Sequence, residues 1–295
     1  MVRACFAIWV LLGAQDAAET GLAARYPGDE GVGKDPAVLF HDDFESGAPG
    51  ERWDLLQSKG KAAAPAVEAE KDPAIARGAA SARATLRKGG YEDIGFFKRL
   101  VPGRDEVFMR HYVRYGRDYG VHSHGGSGFC ASSQPQGFGP GGHAGRAPEG
   151  DRFFWSTLEP IGRATPGKSP GALIFYSYWW KMKPDGKGKH WGNWFRPEAD
   201  VIPPLETWIC IEWRVKANAP GREDGELDCW IDGVKRGSFR GINWRSAEGL
   251  KVNQVSLSQW LEERAYEASG GGTTRTVWYD DVIVATKYIG PRKTR

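Results

Sequence analysis

The chain has 295 residues, enough for one large domain or two modest ones, and a formal net charge of +3. Its 40 glycines, 18 prolines and 13 tryptophans favour a turn-rich β protein over a helical one. The charge is only mildly basic, and no run of basic residues resembles a nucleic-acid-binding arm. We therefore expect no nucleic-acid partner.

The N-terminus has the pattern of a secretory signal peptide. Arg3 precedes an apolar run that ends near Ala14, and small residues follow. This run is too short to span a bilayer, and no later segment is long enough to do so. We expect residues 1–18 to be a signal peptide on a secreted or periplasmic protein that does not bind membranes. A buried N-terminal strand is the alternative for residues 1–18. Residues 19–36 are expected to be a flexible lead-in.

Eight segments have the composition and alternation of β-strands. They are separated by turns rather than helices, which indicates an all-β fold, an antiparallel β-sandwich or jelly roll. We expect residues 37–290 to form a single domain of this kind, followed by a short tail at 291–295. The predicted strands cover residues 38–47, 105–115, 151–160, 171–180, 207–218, 225–237, 250–260 and 276–286.

Two segments are predicted to be irregular. Residues 61–88 contain prolines and show no clean apolar stripe. Residues 116–150 are rich in glycine, and a loop of this length is usually functional or disordered. This loop carries His122 and His124. Two histidines so close can share a zinc ion, but no third ligand has a diagnostic spacing, so ordinary loop histidines are the simpler interpretation.

Removal of the signal peptide leaves Cys130, Cys210 and Cys229. Cys229 falls on the apolar face of its predicted strand, whereas Cys210 falls on the face opposite the apolar residues of its own strand. A disulfide needs Cβ atoms about 4 Å apart. We therefore expect no bridge between Cys210 and Cys229.

Tyr176 and Tyr178 lie two residues apart in the aromatic segment GALIFYSYWWKM, residues 171–182. Residues i and i+2 of a strand point from the same face, about 7 Å apart. Both phenols therefore project from one sheet surface, with Trp180 beside them. The pair suits sugar binding, because rings stack on pyranose faces and hydroxyls reach a glycosidic oxygen. Simple packing explains it equally, since aromatic residues favour strands.

Three other predicted strands have polar faces that carry arginines, carboxylates and aromatic rings. If these faces coincide with the tyrosine face, one sheet surface suits a charged, ring-containing polymer, because guanidinium groups bind carboxylate or sulfate in bidentate fashion. The alternative is a solvated face with cross-strand ion pairs such as Arg214–Asp228. The residues concerned are Arg110, Tyr112, Arg114, Glu212, Arg214, Glu226, Asp228 and Trp230.

The order of these motifs resembles the concanavalin A-like jelly-roll polysaccharide lyases, above all the alginate and glucuronan lyases. The resemblance covers roughly residues 38–290. It implies a polysaccharide lyase that cleaves a uronic-acid polymer by β-elimination. The motifs are LFHDDFESG at 39–47, the Tyr-Ser-Tyr strand at 176–178, ETWICIEWRVKAN at 206–218, DGELDCWIDG at 224–233 and WYDDVIVATKYIGP at 278–291.

In β-elimination a base removes the C5 proton beside the carboxylate, an acid protonates the departing oxygen, and cationic or amide groups stabilise the enolate-like intermediate. By resemblance, Tyr176 or Tyr178 is the acid/base. The loop lysine of alginate lyases is replaced by Ser127, and their Ser-x-Arg strand has no counterpart. His122 or His124 is expected to assist the tyrosines, and a histidine base with an asparagine or arginine neutraliser is an alternative set; the base itself stays unassigned. The expected substrate-binding residues are Arg110, Tyr112, Arg114, Trp180, His190, Asn193, Glu212 and Arg214.

The resemblance also implies a structural calcium ion near the ends of the domain. Asp43 lies near the first strand and Asp281 near the last, and oxygen ligands suit Ca²⁺. Exposed acids without an ion are the equal alternative. No catalytic cofactor is expected, and the protein is expected to be a monomer.

Two other functions remain open from the sequence. A non-catalytic glycan-binding protein on the same fold would use the same aromatic residues without a base. A glycoside hydrolase needs two carboxylates about 5–9 Å apart. Glu212 with Asp228 is the pair to check.

Overall fold

A computed structural model describes residues 20–60, 66–87, 91–121, 124–134, 144–262 and 273–294. The expected signal peptide therefore lies outside the described residues. Within these ranges the chain forms fifteen β-strands and four short 3₁₀ turns, and no helix is long and apolar enough to cross a membrane. The strands are β1 (Val38–Asp42), β2 (Leu55–Gly60), β3 (Ala66–Glu70), β4 (Ser81–Arg87), β5 (Tyr91–Arg104), β6 (Glu106–Tyr115), β7 (Gly125–Ser132), β8 (Phe153–Ile161), β9 (Ala172–Tyr178), β10 (Asn193–Phe195), β11 (Ile209–Lys216), β12 (Gly225–Ile231), β13 (Val234–Ile242), β14 (Val252–Glu262) and β15 (Thr274–Ala285). The 3₁₀ turns are Leu22–Arg25, Pro27–Asp29, Val32–Lys34 and Gly162–Ala164.

The strands form two antiparallel sheets. Sheet A has the order β13-β12-β11-β6-β15-β4-β3, and β1 also pairs with β15. Sheet B has the order β10-β9-β8-β7-β14-β5-β2. Strands that are neighbours in a sheet are often distant in sequence, as in a jelly roll. The predicted all-β sandwich is confirmed.

The core lies between the sheets, where alternate residues of each strand meet. Trp213 of sheet A is fully buried and packs on Phe129 and Phe175 of sheet B, with ring centroids 4.2 and 5.2 Å away. Its Nε1 donates to Ser127 Oγ (2.7 Å), which satisfies the buried polar atom. Cys229 belongs to this core and remains a free thiol, as expected.

Both segments predicted to be irregular contain strands. Ala82, Ala84 and Leu86 of β4 point into the core. The sequence did not predict this strand because alanines are small and give only a weak apolar pattern. β7 lies in the middle of sheet B although it is rich in glycine. A Cβ on Gly126 would lie 2.1 Å from the Leu158 carbonyl oxygen of β8, so this close approach requires glycine.

Residues 20–36 pack against the outer face of sheet A, the face turned away from the core. Leu22 and Val32 are buried in an apolar cluster with Ile283 of β15. The Leu22 amide donates to the Tyr288 carbonyl (3.0 Å), which ties the segment to the C-terminal end of the chain. The structure therefore packs this segment where the sequence predicted a flexible lead-in, because its scattered apolar residues find partners only in the folded sheet.

Asp280 of β15 is a buried carboxylic acid. Burial, followed by the charge of Asp281, raises its pKa to about 9. Ser81 Oγ donates to one carboxyl oxygen (2.5 Å), and the Asp281 amide donates to the other (2.6 Å). An unfolded aspartate titrates near pH 4, so between about pH 4 and 9 the folded state binds one more proton than the unfolded state. The free energy of unfolding therefore falls as the pH rises through this range.

Asp280→Asn should remove this pH dependence, because asparagine stays neutral; its Oδ1 still accepts from the Asp281 amide, and its Nδ2 donates to Ser81 Oγ in place of the bond that Ser81 donated. We expect the variant to be more stable than the wild type by at least about 1 kcal/mol at pH 8 and nearly equal to it at pH 4. Urea denaturation at both pH values measures the difference. Asp151→Asn, at an exposed position, serves as the control and should follow the wild type. Equal stability of Asp280→Asn and wild type at pH 8 would contradict the assignment.

Candidate active site

Tyr176 and Tyr178 project together from the outer face of sheet B, as predicted, while Phe175 points into the core. Their hydroxyl oxygens are 3.2 Å apart. The two residues are only 6% and 5% exposed. Trp155 of the neighbouring β8 stacks on the Tyr178 ring, with centroids 5.8 Å apart. Trp155 thus packs against both tyrosine rings, and a hydrogen bond joins the two hydroxyls.

The connection from β9 to β10 covers the tyrosine rings. A Cβ on Gly192 would lie 2.4 Å from the Tyr176 ring, so only glycine permits this contact. Burial and a hydrogen bond to Tyr176 raise the pKa of Tyr178, while a hydrogen bond from the Gly192 amide opposes the rise. The Tyr178 phenol therefore keeps its proton at neutral pH.

His124 lies beside the tyrosines, at the residue directly before β7. Its φ of 71° is in the left-handed region, and its carbonyl accepts from the Trp260 amide of β14 (2.8 Å). The imidazole lies edge-on to the Tyr176 ring, with centroids 5.1 Å apart, and its side chain is 34% exposed. His124 is therefore the predicted histidine that joins the tyrosine pair. His122 lies outside the described residues.

Glu159 of β8 completes the cluster, and sequence reasoning missed it. Its side chain is 2% exposed, with Oε1 3.3 Å from His124 Nδ1. Its Oε2 accepts from Thr157 Oγ1 (3.1 Å). The two atoms are at ion-pair distance, and Oε1 accepts no hydrogen bond from the described residues. A proton on Nδ1 beside this carboxylate would leave the Nε2 lone pair as the acceptor. The available signal was alternation, which places Glu159 on the same face of its strand as Trp155.

Gly128 makes room for neighbouring side chains on the sheet surface beside this cluster. Gly128 of β7 lies between Thr157 of β8 and Ser256 of β14. A Cβ there would lie 2.6 Å from Ser256 Oγ and 3.4 Å from Trp155 Nε1. The side chains of Ser256, Thr157 and Trp155 therefore close over the backbone at Gly128, and a larger residue would displace them.

The predicted arginine face lies on the other sheet. β6, β11 and β12 do bring their polar faces together, with Glu212 opposite Arg110 and Arg214 opposite Asp228. All three strands belong to sheet A, however, whereas the tyrosines belong to sheet B. The expected coincidence of the two faces is wrong, because alternation defines the face of a strand but not the sheet that the strand joins.

The side chains on this sheet A face are engaged within the protein. Arg114 lies over the Trp278 ring (5.6 Å), and the Tyr112 hydroxyl accepts from the Arg292 amide (2.9 Å). Arg214 forms ion pairs with three carboxylates at 2.5–2.9 Å, namely Glu106, Glu226 and Asp228. The cross-strand ion pairs that the sequence offered as the alternative are therefore present.

The carboxylate pair to check for a glycoside hydrolase is also engaged. Glu212 is buried and accepts from the Ile289 and Gly290 amides, both at 2.7 Å. Asp228 is buried among basic side chains, with Arg214 2.5 Å away. Neither carboxylate is open to a sugar.

Three other predicted residues flank the tyrosines. The Asn193 side chain bonds to the Lys183 amide and carbonyl, both at 3.2 Å, and so closes the segment between β9 and β10. The His190 amide donates to the Gly145 carbonyl (3.3 Å). The Lys181 ammonium lies 4.1 Å from the centroid of the Trp180 ring. These residues lie near the cluster and shape the chain that covers it.

Asp43 and Asp281 do not fit a calcium site. The Asp281 oxygens accept from Arg77 (2.9 Å) and Arg292 (3.0 Å), and Asp43 lies 3.6 Å from Arg52. Guanidinium groups therefore already balance both carboxylates. In the part of the chain that the structure describes, no group of three or more His, Cys, Asp or Glu side chains is arranged to hold a metal ion.

No model of a protein family and no curated protein matches the chain. Solved structures do. Alginate lyase vAL-1 from a Chlorella virus has a TM-score of 0.60 and 14% identity, with 84% of this chain and 99% of that chain covered. The endo-β-1,4-glucuronan lyase from the fungus Trichoderma reesei has a TM-score of 0.55 and 18% identity, with 84% of this chain and 95% of that chain covered.

A mutant of alginate lyase Aly36B in complex with an alginate trisaccharide is similar as well. Its TM-score is 0.55 at 14% identity, with 85% of this chain and 98% of that chain covered. Identities this low establish the fold and not the activity. The expected resemblance is thus confirmed at that level: this chain has the jelly-roll fold found in alginate and glucuronan lyases.

Proposed function

We propose that the protein is a polysaccharide lyase that cleaves an acidic, uronic-acid-containing glycan by β-elimination. The observation that carries the proposal is the position of His124, in contact with both Glu159 and Tyr176 on the outer face of sheet B. A base, a carboxylate beside it and a phenolic acid thus lie together on the outer face of sheet B. The lyases that share the fold support the substrate class, and the signal-peptide pattern supports export.

In the proposed reaction, His124 Nε2 removes the C5 proton of the uronate. The C–H electron pair forms the C4–C5 double bond, and the C4–O bond breaks towards the leaving oxygen. Tyr176 protonates that oxygen, and Tyr178, 3.2 Å away, holds the Tyr176 hydroxyl in place. Glu159 keeps the imidazole oriented and stabilises the imidazolium that forms, as the aspartate of a serine-protease triad does.

Incubation with polymannuronate, polyguluronate, polyglucuronate and heparin, while ultraviolet absorbance is followed, tests the proposal through its unsaturated product. Tyr176→Phe should lower the rate on the active polymer at least about a hundredfold and leave binding unchanged, because only the proton donor is lost. Tyr112→Phe, a buried tyrosine on sheet A, should retain wild-type activity. Absence of product from every polymer, or equal losses in the two variants, would refute the lyase assignment.

A non-catalytic glycan-binding protein is the second candidate. Trp191 and Trp194, 48% and 36% exposed, offer stacking faces near the tyrosines that need no base. Binding to a polymer without formation of unsaturated product would favour this function.

A further inference from the structure

A basic segment, residues 180–196 with the sequence WKMKPDGKGKHWGNWFR, leads from the end of β9 through β10. It carries four lysines and one arginine against a single aspartate, so it is far more basic than the chain as a whole. The lysine side chains are all exposed. They are Lys181, Lys183, Lys187 and Lys189.

None of the ion pairs formed among the described residues involves these lysines. The Lys189 ammonium interacts only electrostatically with Asp185. The aspartate of the segment, Asp185, is engaged by the backbone amides of Lys187 and Lys189, at 2.8 and 2.9 Å. On sheet A, by contrast, Arg214 alone contacts three carboxylates. The positive potential of the basic segment is therefore largely left for a ligand.

The basic segment is anchored against the cluster formed by Tyr176, Tyr178, His124 and Glu159. Gly192 packs directly on the Tyr176 ring, and Asn193 closes the segment through the Lys183 backbone. Trp191 is 48% exposed, and the ring of Trp194 carries the Arg163 guanidinium 4.8 Å above it. Exposed aromatic faces beside cationic groups suit a sugar ring that carries an anionic group, because the ring can stack while the anion is paired.

We propose that the basic segment is a binding subsite for successive sugar rings of an acidic polymer. The four ammonium groups contact the carboxylates or sulfates of the polymer, and Trp191 and Trp194 stack on its rings. The inference rests on the proposed function for its choice of ligand, but it requires binding alone. It assigns this part of the site to polymer recognition, separate from the proton transfers at His124 and Tyr176.

The test measures binding of octasaccharides by calorimetry on the full-length protein. Polyglucuronate, sulfated cellulose and cellulose oligomers provide carboxylate, sulfate and neutral probes. One variant changes Lys181, Lys183, Lys187 and Lys189 to Gln. The matched control changes four exposed lysines, Lys34, Lys71, Lys287 and Lys293, to Gln, so the net charge of the two variants is equal.

The segment variant should bind at least one acidic octasaccharide about tenfold more weakly at low salt, while the control stays within about twofold of wild type. The difference should shrink at about 0.5 M salt, because screening weakens exposed charge pairs. Trp191→Ala with Trp194→Ala should weaken binding at both salt concentrations. The arm that responds, carboxylate or sulfate, identifies the acidic group.

Equal losses in the segment variant and its control, no loss in the segment variant, or no binding of either acidic probe by the wild type would overturn the subsite. The lyase proposal is judged separately, by the unsaturated product. Reduced binding without any product would sustain the subsite and refute the lyase, whereas product formation with unchanged binding would do the opposite.

Discussion

His124→Asn is expected to lower the rate of β-elimination by about 10² to 10⁴, because it removes the group placed to accept the C5 proton. Asparagine is the appropriate substitute, since it tolerates the positive φ of 71° at this position better than most residues. The fold should therefore persist, and the loss should appear in kcat rather than in polymer binding. Initial rates of unsaturated product and calorimetric binding on the same samples separate the two effects.

The matched control for this experiment is His41→Asn. His41 lies in β1, which pairs with β15 of sheet A, so it is on the sheet opposite the tyrosines. Its replacement should leave the rate unchanged. If His124→Asn retained more than about a tenth of the wild-type rate, the base would have to lie elsewhere, and His122 would be the next residue to change.

The local features of this site were accessible from the sequence. Alternation along one strand placed Tyr176 and Tyr178 on a single face, and the structure confirms it with hydroxyls 3.2 Å apart. The same alternation places Glu159 on the outer face of β8, which is a weaker signal because single charged residues on strands are ordinarily solvated. In the structure Glu159 is buried, so its meaning emerges only from its contact with His124.

The long-range features were not accessible. β6 and β9 show similar alternation of polar and aromatic residues, yet they join different sheets. The sheet that a strand joins depends on its hydrogen-bonded neighbours, which are many residues away in sequence. No local pattern in the strand identifies those neighbours. The same reason explains why the sequence predicted a loop where β7 lies. Its glycines indicate a loop when the segment is considered alone, but they permit close strand packing once β8 and β14 lie on either side.

Arg110 shows what the arginines of sheet A do instead. Its side chain is fully buried and lies 2.5 Å from Asp29, which itself is 6% exposed. The guanidinium also donates to the carbonyls of Gly290 and Asp281, at 3.3 and 3.1 Å. Arg110 thus joins β6 to both the N-terminal segment and the C-terminal end of the chain. No part of this arrangement is open to a carboxylate from solution.

Arg110→Met is therefore expected to lower the free energy of unfolding by about 3–5 kcal/mol, because it leaves Asp29 buried without its partner. Adding Asp29→Asn should recover part of this loss by removing the isolated charge. Arg25→Met breaks an ion pair whose arginine is 60% exposed, and should cost no more than about 1 kcal/mol. Urea denaturation at pH 7 measures all three. A loss for Arg110→Met as small as that for Arg25→Met, or weaker polymer binding by the folded double variant, would return Arg110 to the role of a substrate ligand.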